Sequence, residues 1–560
     1  MPWCLSQYWT INVPEKSTSE CAAEEWLLLL PVANDHFKVS RCLRFHRWYI
    51  FLAVLATQFF TGSIYSLVSL SQPMDEYFQG NLYAGQSTAL LMVGSASMAV
   101  AAALSGPALE RRGPRWSMAT GTFILSLGFI FGQIATMTRT WGIMFPAGIC
   151  YGTGVGYLII TSFATLQKWF PDIRGTINGI VLMAFGSGGG VWNLFFGAIV
   201  GPGASRADNM TQVFYLMLLV FIPPLILATI TMRTPPPSFR VHGHDMHGIA
   251  SDKVISMSYV QDEYLKVGMT LVNYNVFQSH NDSVLEGTER QYYEQVKALT
   301  LVQCILSTDF VCLFLAVTAA FMPASVYFEI STTDANGDYR AMNWFNATEN
   351  DIDHILSTGL MISSVGRLAL PIVSDVLVRV FYANPAFARK LLLVILLFVE
   401  AISLAILVPH LENDYDTLLQ VVYVIKFVSG GGASISACLV TDMYGVYNVG
   451  TMYGLVLLSW TVGLASVGLT FSGSDVQFLS QMNSMIYVSS IAVLLMGFVR
   501  TNSLDRFYHG YQYTLCNKPI IQIPFYDRRT TKYGQEAIIL TTPNRSSFFM
   551  LDSDRHSLEA

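Results

Sequence analysis

Twelve stretches of this sequence are long and apolar enough to cross a bilayer, at about 46–70, 84–109, 116–137, 141–166, 175–200, 213–232, 299–325, 352–377, 390–409, 416–438, 449–472 and 479–500. A helix needs about 20 apolar residues to span the hydrocarbon core. No water there satisfies the backbone, so each stretch must close its own hydrogen bonds as a helix. Only 12% of residues are charged, and the mean hydropathy is +0.44; a soluble domain carries about twice that charge. The polar stretch 233–298 divides the spans six from six. The expectation is an all-α membrane protein of two six-helix bundles: a tail over 1–45, bundles over 46–232 and 299–500 joined by the 233–298 loop, and a second tail over 501–560. Two bundles of equal size suggest homologous halves around a central pathway.

Basic residues near the span ends set the orientation. One side collects Arg41, Arg44, Arg47, Arg111, Arg112, Arg115, Lys168, Arg174, Arg233, Arg379, Arg389, Lys390 and Arg500. The other holds little beyond Arg139, Arg206 and Arg340. Both tails and the central loop are therefore expected in the cytosol. The sequons at Asn209 and Asn346 then fall outside, where glycosylation occurs, and those at Asn281 and Asn544 fall inside. This fits a plasma membrane or another membrane of the secretory pathway. The N-terminus does not read as a signal peptide, because Trp26–Val32 is short and follows two glutamates. Glu24 with Leu28 and Leu29 matches an acidic dileucine pattern. The central loop and C-terminal tail read as flexible polar segments.

Several classes are excluded. There is no basic domain for nucleic acid, no nucleophile–base grouping and no metal-ligand spacing. The eight cysteines lie in apolar runs or tails and form no disulfide framework. The glycine runs "GTGVGY" and "GSGGG" follow no strand, so they are not nucleotide loops; they let helices approach closely. No cofactor is expected.

Between spans 2 and 3 stands "GPALERRGPRW", from Gly106 to Trp116, with Glu110 and Arg111 at its centre. It resembles the loop signature of the major facilitator superfamily, with Gly106 at a tight helix end and Glu110 pairing with bases at a cytoplasmic gate. "PIVSDVLVR" is a degenerate echo in the second half, with Asp375 as the acid and Arg379 as the base. Together with "HRWYIFLAVLATQFFTGSIYS", "QKWFPDIRGTINGIVLMAFGSGGG" and "MISSVGRLALPIVSD", these motifs resemble the oxalate/formate antiporters and the related monocarboxylate transporters. The resemblance covers about 46–232 and, more loosely, 350–475. It implies a twelve-helix fold of two bundles and places a carboxylate-binding arginine at Arg367. Other family charges are missing: the span-11 lysine position falls near Trp460, and Ser363 stands where monocarboxylate transporters carry an acid.

Four ionisable residues fall inside predicted spans: Asp309, Arg367, Glu400 and Lys426. Each costs about 2.5–3.5 kcal/mol or more at the bilayer centre without a partner. Arg367 offers a planar fork that fits a carboxylate; the competing reading ties it to Asp375 as a structural tether. Lys426 is either a second substrate cation or an ion-pair partner of Asp309 or Glu400. Asp309 is either a proton carrier or the partner of a buried base. Glu400, on peripheral span 9, reads as structural. Tyr65 and Trp460 are the aromatic residues placed to wall the site. The four charges sum to zero, which favours a monoanion over oxalate. The expected function is therefore transport of a small monocarboxylate of the pyruvate, lactate or formate class by alternating access, coupled to protons or to anion exchange. The partners are that anion, protons and the bilayer, and a monomer suffices. Alternatives are another organic anion or small solute, or a transporter-like nutrient sensor.

Overall fold

Every apolar stretch forms a helix in the computed structural model, which describes residues 8–11, 13–14, 16–33, 36–80, 86–200, 209–249, 289–326, 344–345, 347–411, 414–468, 475–508, 510–515 and 518–524. The first bundle holds α1 (Arg47–Thr61), α2 (Gln86–Arg112), α3 (Pro114–Thr138), α4 (Met144–Trp169), α5 (Arg174–Val200) and α6 (Met210–Thr231). The second holds α7 (Thr308–Val326), α8 (Glu349–Val380), α9 (Pro385–Leu407), α10 (Tyr415–Tyr444), α11 (Val449–Gly468) and α12 (Asp475–Gly497). Span 1 continues past α1 as a 3₁₀ helix, Gly62–Leu70.

Span 7 differs most from expectation. Its predicted start at 299 belongs to a short separate helix, Leu301–Ile305. The chain then turns, and the Ser307 hydroxyl accepts the Phe310 amide at 3.2 Å. A side chain that satisfies an orphan amide begins a new helix, so the membrane helix starts only at Thr308.

The all-α expectation holds for the membrane helices but not for the tails. Strand β1 (Trp26–Ala33) pairs antiparallel with β2 (His36–Arg44), and β3 (Gly510–Leu515) with β4 (Lys518–Pro524). The apolar run Trp26–Val32 is thus a strand, as its length allows. Its hairpin is anchored by buried Arg233, which donates to the carbonyls of Glu24 at 2.8 Å, Trp26 at 2.9 Å and Leu27 at 2.7 Å. The C-terminal tail likewise holds structure between Ser503 and Pro524. The sequons at Asn281, Asn346 and Asn544 lie outside the described residues, as do Arg206 and Arg340.

Contacts cluster into two units: Met1–Ile249 with Gln295–Val499, and Ala250–Glu294 with Arg500–Ala560. All twelve membrane helices belong to the first. In lipid no hydrophobic force drives helices together, so small residues that permit close packing decide which faces meet. A Cβ on Gly154 of α4 would lie 2.7 Å from the Leu125 amide of α3, and one on Gly179 of α5 would lie 3.1 Å from the Leu368 carbonyl of α8. The first bundle's core is aromatic. Trp192 stacks 4.4 Å from Phe221 and donates its indole N–H to the Phe59 carbonyl at 3.1 Å. Trp192 is therefore packing within the first bundle.

Candidate functional site

Arg367 stands near the middle of the apolar length of α8, Thr358–Val380, on the side facing α5. Gly186 of α5 makes room for it, since a Cβ there would lie 2.7 Å from Arg367 Nη1 and 3.0 Å from Ser364 Oγ. Arg367 Nη2 donates to the Tyr65 hydroxyl at 3.4 Å and Nη1 to the Leu182 carbonyl at 3.5 Å. Both bonds are long. Nε is buried and makes no hydrogen bond. The guanidinium lies 5.5 Å from the Tyr65 ring and 5.7 Å from that of Phe185. Among the described residues no carboxylate pairs with it. Five donors served by two neutral acceptors leave a half-buried cation short of partners.

The two aromatic residues expected here do converge. The Tyr65 ring meets Trp460 edge-on at 6.3 Å and Phe185 at 5.2 Å. Tyr453 also belongs to the site, although the motifs did not single it out. It is buried against Phe163 at 4.5 Å and interacts electrostatically with Arg367 and Tyr65. Its signal in the sequence was its position two helical turns before Trp460, on the same face of α11. Lys426 of α10 is within electrostatic reach of Arg367. Its stem lies along α8, where a Cβ on Gly359 would be 3.3 Å from Lys426 Cγ.

The two acids lie elsewhere. Asp309 occupies the first turn of α7 and interacts electrostatically with Lys390. The neighbouring ring of Phe310 packs on Tyr444 at 5.8 Å. Tyr444 lies eighteen residues along α10 from Lys426, or ~27 Å at 1.5 Å per residue, so Asp309 does not share the depth of Lys426. An acid in a helix's first turn complements the positive end of the dipole. Glu400 is fully buried between α9 and α12, beside Ser489. The four charges therefore do not share one chamber, and pooling them to choose a monoanion is not supported.

The expected gating residues gather at the arginine-rich end. Glu110 and Lys168 form a buried ion pair at 2.6 Å. Arg111 donates to the Tyr8 carbonyl and lies 5.3 Å from the Tyr8 ring. Arg379 donates to the Asp172 carbonyl, while the Asp172 carboxylate takes both arms of Arg47, at 3.0 and 3.3 Å. Gly106 departs from its expected role, because α2 runs on to Arg112 and the turn falls at Gly113, with φ of 83°. Gly106 instead lets α11 approach, and a Cβ there would meet the Thr451 backbone.

Asp375 tethers α5 rather than Arg367. Its carboxylate accepts the amides of Gly175 at 3.1 Å and Thr176 at 2.7 Å, and the Thr176 hydroxyl at 2.9 Å. Arg389 lies 3.7 Å away and also bonds Asp442, which Arg174 reaches at 3.4 Å. Arg174, Arg389 and Asp442 complete a lock that sequence motifs did not assign, because its members come from separate helices in both halves of the chain. The lock joins α5 of one bundle to α8, α9 and α10 of the other. The bundles are thus clasped at this end.

A loop seals the same region. Arg174 Nη2 donates to the Met246 carbonyl at 2.8 Å, and the His247 ring meets Tyr447 at 5.0 Å. Burial is the main cause that lowers the His247 pKa to about 4, assisted by Lys297, Arg174 and Lys168 and opposed by Asp245.

The Major Facilitator Superfamily profile matches residues 50–465, and the chain belongs to that superfamily. It is 25% identical over 165 residues to MFS-type transporter 1 of Ophiocordyceps sp. (strain BCC 1869), covering 29% of this chain and 36% of that protein. It is 30% identical over 150 residues to the uncharacterized MFS-type transporter YhjX of Escherichia coli (strain K12), covering 25% and 34%. These matches span about a third of each relative's length. Among solved structures, the proton:xylose symporter XylE aligns with a TM-score of 0.55 at 13% identity, covering 81% of this chain and 94% of that one. The E. coli fucose:proton symporter FucP aligns at 0.51 and 10% identity, covering 82% and 100%. At these identities the likeness is one of fold.

Proposed function

We propose that this protein carries a small carboxylate across a membrane by alternating access, with Arg367 as the anion's ligand. One observation carries the reading: among the described residues, a half-buried guanidinium at mid-span holds two long bonds to neutral oxygens, with Nε unpartnered. A carboxylate supplies the two strong parallel bonds that this fork lacks. Tyr65, Tyr453 and Trp460 wall a site suited to a compact anion. The clasped arginine-rich end corresponds to a state closed toward the cytosol, following the excess of basic residues on that side. The substrate is a monocarboxylate of the pyruvate, lactate or formate class, because Arg367 is the cation short of partners while Lys426 has contacts of its own. Protons or a counter-anion balance the charge; with Asp309 at the end of α7, the proton carrier is proposed there, at the gate.

A second reading, a dicarboxylate bridging Arg367 and Lys426, is favoured by the electrostatic contact of those two cations. Purified protein in liposomes, given labelled pyruvate, formate and oxalate under an imposed pH gradient, tests both. Uptake of the monoanions supports the first reading and uptake of oxalate alone the second. Saturable binding without flux refutes transport and leaves a sensor.

A further inference from the structure

Span 1 changes its winding halfway. The α-helix ends at Thr61, and the next nine residues, Gly62–Leu70, are 3₁₀. Runs of 3₁₀ longer than three or four residues are uncommon, and one inside a longer helix marks a hinge or a stretch under strain. The junction is fixed from outside. Gly62 lies so close to α5 that a Cβ would meet the Phe185 carbonyl, and a Cβ on Gly189 would lie 3.0 Å from Tyr65 Cβ. Backbone against backbone makes Gly62 a pivot.

Beyond the pivot, a 3₁₀ helix repeats every three residues, so Ile64, Leu67 and Leu70 form one stripe. All three line a cavity of about 50 Å³ inside the first bundle, partly open, whose other walls include Leu90, Ala147 and Met217. Tyr151 is at its edge, with its hydroxyl already bonded to Ser63 at 2.6 Å. The lining is almost wholly apolar and offers a water almost nothing to bond. Tyr65, one residue from the stripe, carries the hydroxyl that Arg367 holds at 3.4 Å. The same nine residues thus touch the substrate arginine and back onto empty space.

Rewinding this segment to α-helix changes 120° per residue to 100° and 2.0 Å of rise to 1.5 Å. Counted from Gly62, Tyr65 turns by about 60° and the segment shortens by about 4–5 Å. We propose that Gly62–Leu70 is a winding switch: as 3₁₀ it sets Ile64, Leu67 and Leu70 on the cavity and holds Tyr65 on Arg367, and as α-helix it swings Leu67 and Leu70 round through the space the cavity leaves and withdraws Tyr65. The functional consequence rests on Arg367 being the anion ligand; the winding change itself does not.

The test is to fill the cavity. Ala147→Leu places an isobutyl group where the segment must move, and Met217→Phe does so from another wall. Ala147→Ser is the size-matched control. Hydrogen exchange of the full chain in lipid nanodiscs, without substrate, reads the switch directly. The amides of 62–70 are expected to exchange at least tenfold faster than those of 50–60. Either filler slows 62–70 at least tenfold and leaves 50–60 unchanged, and the serine control changes neither. Equal exchange of the two stretches in the wild type, or fillers without effect on 62–70, overturns the proposal. In liposomes, a filler lowers pyruvate turnover at least tenfold with its binding constant within twofold. If the wild type moves no carboxylate while the exchange pattern holds, the transport reading fails and the switch stands.

Discussion

Arg367→Lys keeps the positive charge at the site and removes the fork. A hydrogen bond to a charged partner contributes about 1.5–3 kcal/mol, and lysine supplies one such bond where arginine supplies two. The expected loss is therefore ~1.5–3 kcal/mol, about tenfold to 150-fold in the dissociation constant of the carboxylate. Fold stability should scarcely change. The present partners of Arg367 are the Tyr65 hydroxyl at 3.4 Å and the Leu182 carbonyl at 3.5 Å, and losing two such weak bonds costs about 1 kcal/mol at most. Binding is measured by isothermal titration of the purified protein with pyruvate, flux by liposome uptake, and stability by thermal unfolding in the same detergent. Arg367→Gln, which removes the charge, should weaken binding further at a similar Tm. The reasoning is refuted if Arg367→Lys binds as wild type does. It is equally refuted if the Tm falls steeply and the loss of transport merely follows the unfolded fraction.

Other expectations follow from the arginine-rich end. Glu110→Gln leaves Lys168 buried without its counter-charge and should cost about 3–5 kcal/mol; unfolding of Glu110→Gln/Lys168→Met, which removes both charges, should show a smaller loss. Asp375→Asn removes the negative charge from the N-terminus of α5 and from beside Arg389. A charge so placed contributes up to ~2 kcal/mol, so spin labels at the ends of α2 and α11 should report up to a thirtyfold shift toward separated bundles. His247 is held neutral, with its pKa depressed from 6.5 to about 4. Its contribution to stability is complete above pH 6.5 and is lost as pH falls toward 4, by about 2 kcal/mol at pH 5. Thermal unfolding should therefore be acid-sensitive over pH 7.5–5 in the wild type and less so in His247→Gln.

The number and grouping of the membrane helices were determined by the sequence alone, because the cost of unsatisfied backbone in hydrocarbon acts locally on each stretch. Arg367 could be singled out for the same reason: a guanidinium in an apolar run stands out wherever the helix later packs. Tertiary structure decided which partners each charge has. Asp309 read as lying well inside span 7 until Ser307 restarted the helix beside it, and the competing tether of Arg367 to Asp375 fell away because the α5 amides hold Asp375. The lock of Arg174, Arg389 and Asp442 joins α5 to α9 and α10, more than 200 residues further along the chain, and no local pattern records such a meeting. The 3₁₀ winding of span 1 was equally silent, since it depends on where Gly62 meets α5 and on the space left behind Leu67. Hydrophobicity is a property of a stretch, whereas the pairing of charges and the placing of voids are properties of packed surfaces.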